Sequence, residues 1–314
     1  PSCSYSFFSL EFSGTVYLEN IFPVPGTNNS SREVKTLKIV IPIKQVPETS
    51  NVKMDEETGT MKREGVESII NPLDLYAIET AIQLKEKYGG TITVITMGPP
   101  TADKALREAI AMGCDDGILL SGKEFAGSDT WATSYALSQA IKEIGDYDLV
   151  LAGERATDGD TGQVGPGIAS WLDLTLSTYT SEVIEVNLVD EAEVDYTNAK
   201  QDSIIVERMV EDGYEKLELP LPALLTVVKE ISFPRLPTLR GKQRSRKVDI
   251  PQWNLKNLDL DEDKLGLQGS PTRVVNIEHP KVTRGGRKID VRDNGNIEKA
   301  VSKLINYLKE EELL

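Results

Sequence analysis

The chain has 314 residues, with 50 acidic against 35 basic side chains and a formal net charge of −15. That is length enough to bury a real core, and the acidic balance argues against general nucleic-acid binding. No apolar run approaches ~18 residues, so neither a membrane-spanning helix nor direct membrane insertion is expected.

Residues 1–34 mix Ser, Asn and aromatic residues without a clean period and lack the basic start, apolar core and small-residue site of a secretory signal. They are expected to lie outside the core. Asn29-Ser30-Ser31 matches the glycosylation pattern, with nothing else pointing to secretion. Leu37–Ile43 is predicted to be a buried first strand, followed by Lys44-Gln45-Val46-Pro47. Residues 52–63 form two short runs around Glu57-Thr58-Gly59, a hairpin pattern. Asn71-Pro72 then opens a helix, Asn as cap and Pro in the first turn, with Leu75, Ile78, Ala81, Ile82 and Leu84 as its apolar stripe.

The alternation continues with a strand at 91–97, a helix at 102–112 stopped by Gly113, a strand at 117–120, a helix at 130–144 and a strand at 148–152. Such alternation predicts an α/β fold, a doubly wound and mostly parallel Rossmann-like sheet with ligands at the carboxyl ends of its strands. After Leu174 the rhythm changes. Runs at 182–188, 203–210 and 214–219 read as an antiparallel addition with a turn at Asp212-Gly213, and 222–228 returns as an apolar strand. Residues 231–295 show little apolar periodicity and are expected to wrap around another surface, and a helix at about 296–312 closes the chain. The expected organisation is thus an extension at 1–34, a nucleotide-binding domain at 35–230, and a loop and arm at 231–314.

Neither a disulfide framework nor a metal or iron–sulfur site can be built from Cys3 and Cys114. The single histidine, His279, sits beside Pro280 in a polar stretch and reads as a surface side chain rather than a general base. Redox chemistry would therefore have to come from a bound cofactor, with no catalytic side chain assigned.

The most informative segment is Leu149 to Pro166, where an apolar strand runs through a Gly-, Thr- and Asp-rich loop into a helix start at 165–171. Glycines 159, 162 and 165 would permit positive φ and close approach to a ligand, and the helix start would aim unpaired N–H groups at an anion. Asp158 and Asp160 can bind ribose hydroxyls or cap N–H groups. The spacing fits neither GxGxxG nor GxxxxGK[ST], and a polar loop that only caps a helix has the same appearance.

These residues are recognisable. From about Lys35 to the C-terminus the chain resembles the β subunit of electron-transfer flavoproteins, in Ile43-Lys-Gln-Val-Pro47, Asn71-Pro72 with Ala77-Ile78-Glu79, Leu106 to Gly113, Ala156 to Gly165, and Pro234-Arg-Leu-Pro-Thr-Leu-Arg-Gly241. The resemblance implies an obligate heterodimer with an α subunit, carrying FAD and shuttling electrons. In one branch of the family the β site holds AMP as a structural ligand; in the electron-bifurcating branch it holds a second FAD that takes hydride from NADH. Residues 52–77, Phe125–Tyr135 and Gly159-Asp160 leading straight into Thr161 are similar to the bifurcating branch. A ferredoxin would be the low-potential acceptor, an acyl-CoA dehydrogenase or quinone oxidoreductase the high-potential one, and the setting cytoplasmic.

Carried onto this sequence, the cofactor residues are Gln45, Asn71, Asp129, Thr130, Thr133, Ala156, Asp158, Gly159, Asp160, Thr161, Gly162, Gln163 and Val164. Asp129 reads equally as a helix cap, and Asn71 could also be one, though its place in the family pattern favours a position near the ligand. A positive run, Arg235, Arg240, Lys242, Arg244, Arg246 and Lys247, is by itself a solvated face. By resemblance it becomes the loop that touches a partner dehydrogenase, with Leu239 as anchor and Arg235, Arg240 and Lys242 around it. A nucleotide-binding regulatory domain of the stress-protein type would share the fold without needing the tail or the Leu239 loop.

Overall fold

In a computed structural model, residues 35–48, 53–54, 61–62, 68–189, 201–275, 297–310 and 314 are described. Cys3, Asn29, the Glu57-Thr58-Gly59 turn and His279 fall outside them.

In chain order the strands are β1 (Leu37–Pro42), β2 (Gln45–Pro47), β3 (Lys53–Met54), β4 (Met61–Lys62), β5 (Ser68–Ile70), β6 (Gly90–Met97), β7 (Asp116–Leu120), β8 (Leu149–Gly153), β9 (Thr175–Asn187), β10 (Ser203–Val210), β11 (Gly213–Pro220), β12 (Ala223–Val227) and β13 (Gln252–Trp253). The α-helices are α1 (Asp74–Tyr88), α2 (Asp103–Met112), α3 (Thr130–Ile144), α4 (Val164–Leu172), α5 (Leu239–Ser245), α6 (Gly266–Gly269) and α7 (Ile297–Glu310). Nine strands form one sheet in the order β11-β10-β9-β12-β8-β1-β6-β7-β13. From β9 to β13 every pairing is parallel, and only β9–β10 and β10–β11 are antiparallel. The fold is the expected Rossmann-like α/β arrangement, and the antiparallel hairpin extends the same sheet.

Alternation within the central strands builds two cores. Leu37, Ile39 and Ile41 of β1 face one side, where Ala77, Ile78 and Ala81 of α1 and Leu106, Ala109 and Ile110 of α2 cover them. Val40 of β1 and Val150 of β8 face the other, under Ala136, Ala140 and Ile141 of α3 and Ile168 of α4. Each fully buried Ile or Leu contributes roughly 1.5–3 kcal/mol of transfer free energy, so the doubly covered strands are the most strongly held part of the chain.

Several details differ from the sequence reading. Helix α1 starts at Asp74 with Leu73 at its N-cap, so Pro72 lies in the preceding turn and Asn71 does not cap the helix. Strand β9 begins at Thr175, well before residue 182; its first part pairs parallel with β12 and the remainder antiparallel with β10. Its polar start is tolerated because buried Ser177 and Thr180 hydrogen-bond each other at 3.0 Å. The hairpin turn is Glu211-Asp212, with Gly213 opening β11 at φ +145°. The segment after residue 231 does not stay core-free: Leu258 and Leu265 enter the second core, and β13 adds the outermost strand beside β7.

A first compact unit runs to Pro271 and a second covers Thr272–Leu314. Within the second, α7 carries Ile297, Val301, Leu304 and Ile305 at helical spacing, all exposed. No helix among the described residues is long and apolar enough to cross a membrane.

Candidate functional site

The sheet order reverses at β1, whose neighbours are β8 and β6, and a crevice at the carboxyl ends of β1 and β8 follows from that reversal. Short antiparallel pairing of β2 with β5 brings Asn71 back beside the end of β1, where its N–H donates to the Lys44 carbonyl (2.8 Å). The Asn71 side chain is buried and fully engaged. Its amide donates to Asp74 Oδ1 (3.0 Å) and to the Arg155 carbonyl (2.9 Å), and its oxygen accepts from Thr157 N–H (3.1 Å). Asn71 thus positions the loop after β8.

Asp74, also buried, accepts from Lys44 N–H at 2.7 Å. Burial pushes its carboxyl up to about 7, against the pull of Lys44 N–H, the Asn71 amide, the Lys44 charge and Gly153 N–H. A Cβ on Gly153 would lie 2.5 Å from Asp74 Oδ1, so β8 must end in glycine for this carboxylate to fit.

The loop itself lies open to solvent. Residues 157–161 are exposed, and Asp160 N–H closes a turn on the Ala156 carbonyl (2.8 Å). Its two carboxylates are matched by cations: Lys44 Nζ meets Asp158 at 2.7 Å, and Arg155 Nε meets Asp160 at 3.1 Å. Asp160 (φ 53°) and Gly162 (φ 62°) take the left-handed conformation. Gly159 and Gly165 do not, which corrects the expectation of positive φ at three glycines. Gly165 is there for close approach, since its Cβ would stand 2.6 Å from Thr226 Cγ2 on β12. Gly159 has open space around it.

Helix α4 follows with Gln163 at its N-cap and no side-chain bond to its first N–H groups. Gln163 Oε1 instead accepts from Thr130 Oγ1 (2.8 Å), which joins the starts of α3 and α4. Asp129 is the N-cap of α3 and accepts from Trp131 and Ala132 N–H at 3.0 and 3.1 Å, while Thr133 donates its N–H to the Asp129 carbonyl. Thr161 and Val164 complete the loop into α4. Gln45 lies on β2 and only reaches the Thr101 carbonyl at 3.4 Å. Along the same edge, at the ends of β6 and β7, a largely apolar cavity of about 560 Å³ is lined by Met97, Gly98, Pro99, Ser121, Phe125 and Gln252 among others.

Residues 129–133 and 156–164 therefore meet, with Asn71 beneath them and Gln45 at the margin. Lys44, Asp74 and Arg155 were missed. Each had a local signal: Lys44 directly follows the first strand, Asp74 is an acid in a helix's first turn, and Arg155 stands just past the end of β8.

The basic segment divides in two. Arg235 is committed to α1: its Nε and Nη2 donate to Glu79 at 2.8 and 3.0 Å, and its Nη1 and Nη2 to Glu86 at 2.6 and 3.1 Å. Arg240 and Lys242 are exposed on α5, and Leu239, its first residue, is 83 % exposed. Thr238 caps α5 by accepting from Gly241 N–H (2.9 Å). Cys114 is buried, and burial pushes its thiol up to about 12, so it is not a reactive thiol.

The electron transfer flavoprotein domain model matches residues 58–258. The chain is 45 % identical over 273 residues to the electron transfer flavoprotein subunit beta of Thermoanaerobacterium thermosaccharolyticum, covering 87 % of this chain and 98 % of that one. It is 40 % identical to the caffeyl-CoA reductase-Etf complex subunit CarD of Acetobacterium woodii, over 88 % of this chain and all (100 %) of CarD. To protein FixA of Azotobacter vinelandii it is 43 % identical, over 77 % and 84 % of the two chains. A parallel sheet with its crevice at β1 and β8, and relatives matched along nearly their whole length, identify the chain as a member of the electron transfer flavoprotein family, a β subunit.

Proposed function

We propose that this chain pairs with an α subunit, holds FAD in the cradle at β1 and β8, and serves an NADH-dependent, electron-bifurcating flavoprotein. The carrying observation is the Asp158–Val164 loop, which turns through left-handed Asp160 and Gly162 into the uncapped start of α4. That donor set fits a dinucleotide: free N–H groups at a helix start favour a diphosphate, and Asp158 suits ribose hydroxyls. Lys44 and Arg155 offset the loop's own carboxylates, so a phosphate does not meet bare negative charge. Thr130 and Gln163 pin the two helix starts together, and Asn71 with Asp74 holds the loop from beneath.

FAD bound there would supply hydride acceptance from NADH and one-electron delivery, with ferredoxin as the low-potential acceptor and an acyl-CoA dehydrogenase or quinone oxidoreductase, by way of the α-subunit flavin, as the high-potential one. The chain's part is to bind and orient, with no side-chain nucleophile. FAD is preferred over AMP on the loop that runs from Gly159-Asp160 directly into Thr161, the run in which the sequence resembles the bifurcating branch. Docking of the dehydrogenase falls to Leu239 with Arg240 and Lys242, an apolar contact beside positive charge suited to fast, reversible encounters.

Anaerobic mixing of NADH with the αβ complex tests the donor. Rapid bleaching of flavin absorbance is expected, and a complex that NADH leaves oxidised would overturn the NADH role.

A further inference from the structure

The segment that presents Leu239 is stapled along one face of α1. Ser232 Oγ donates to the Tyr76 carbonyl (3.1 Å) and accepts from Thr80 Oγ1 (3.3 Å). Arg235 N–H donates to Glu79 Oε2 at 3.1 Å, in addition to the four guanidinium bonds to Glu79 and Glu86. The Glu79 side chain is only 4 % exposed. Burial alone would raise its carboxyl, but the Arg235 and Gln83 bonds outweigh that and hold it below the usual range.

Downstream, α5 is fixed to α2. Gly241 packs against Ala111, Arg107 reaches the Ser245 and Val248 carbonyls, and Arg244 reaches the Cys114 carbonyl and Asp115. Between the two anchors, Phe233, Leu236 and Leu239 stand 91, 85 and 83 % exposed, interleaved with Pro234 and Pro237. Large apolar side chains this exposed on a segment this firmly tied are organised for contact.

We infer that Arg235 is a positioning residue of the docking loop, locking it to α1 through Glu79 and Glu86, and that the redox partner is met by Phe233, Leu236 and Leu239 together. This rests on the docking role proposed for the loop. The partner has an apolar recess with an acidic rim, because Arg240 and Lys242 stand exposed on α5, which begins at Leu239. Helix α1 starts at the Asn71–Asp74 hub and carries Glu86 about 18 Å further along, at 1.5 Å per residue. Cradle and docking loop thus hang on the same rigid element.

Amide hydrogen exchange across residues 232–239 of the αβ complex tests the lock. Arg235→Lys keeps the charge and loses the fork; Glu79→Gln keeps the shape and loses the charge. Both are expected to speed exchange on the order of tenfold or more, the equivalent of about 1.4 kcal/mol in local opening, while Arg240→Gln leaves it unchanged. Unchanged exchange in Arg235→Lys and Glu79→Gln would overturn the positioning role.

With an acyl-CoA dehydrogenase as partner, both variants should raise the KM for that protein alike and leave kcat and flavin content unaltered. Phe233→Ser and Leu236→Ser should raise KM without altering exchange. A docking-cation role predicts instead that Arg235→Lys is nearly silent and Glu79→Gln without effect. If the wild-type complex fails to exchange electrons with the dehydrogenase, the partner reading falls, and the exchange data still decide the lock.

Discussion

Asp74→Asn removes a carboxylate buried beneath the cradle, and its effect can be worked from the structure. Burial lifts the folded-state pKa to about 7, while the group titrates near the ordinary aspartate value of 3.8 when the chain unfolds. The folded chain therefore binds this proton more tightly than the unfolded one. The associated stability is complete below about pH 4, falls as pH rises, and levels off once pH passes the folded value near 7. Between pH 5.5 and 8 those two pKa values imply a loss of about 2 kcal/mol from this group alone, at 1.36 kcal/mol per pKa unit. Other titrating groups contribute equally to both proteins, so the difference between their pH slopes isolates Asp74. Urea unfolding at the two pH values can be followed by the fluorescence of the three tryptophans, Trp131, Trp171 and Trp253. Wild type should lose about 2 kcal/mol more than Asp74→Asn across that interval. Parallel slopes would refute the reasoning and mean that Lys44, Asn71 and Gly153 N–H donors hold the carboxylate ionised throughout.

Asp158→Trp, which breaks the Lys44 pair at an exposed loop position, should empty the β-site nucleotide while far-ultraviolet dichroism stays that of wild type; an unchanged cofactor load would remove the assignment. Leu239→Ala should slow electron transfer to an acyl-CoA dehydrogenase without loss of flavin, and being a surface change should alter stability by no more than about 0.5 kcal/mol. Transfer rates equal to wild type would sink its anchoring role. Gly165→Ala places a Cβ 2.6 Å from Thr226 Cγ2, and an overpacking cost of roughly 1–3 kcal/mol should appear in urea unfolding together with weaker nucleotide retention.

The parallel sheet was legible because its strands are short apolar runs separated by amphipathic helices, a pattern set by local sequence. The loop at 158–164 was legible for a similar reason: a strand, a cluster of Gly and Asp, and a helix start are adjacent in the chain. What escaped were contacts made across long separations. Asn71 looks like a cap until folding places Arg155 and Thr157 beside it, and then its amide bonds to them. Arg235 reads as one more surface cation, and only the packing of the 232–235 segment on α1 shows that Glu79 and Glu86 hold it. Strand β9 began in polar residues that satisfy each other inside, so its alternation was hidden. Composition does not distinguish a glycine that needs positive φ from Gly159, which stands in open space; here Asp160 carries the left-handed turn.

Cofactor content bears most directly on the central claim. The chain is co-expressed with its α subunit, the complex is denatured, and the released nucleotides are counted. Two FAD per heterodimer and no AMP are expected. One FAD with one AMP, retained after incubation with excess FAD, would contradict that claim and leave this chain a structural and docking subunit without an NADH role.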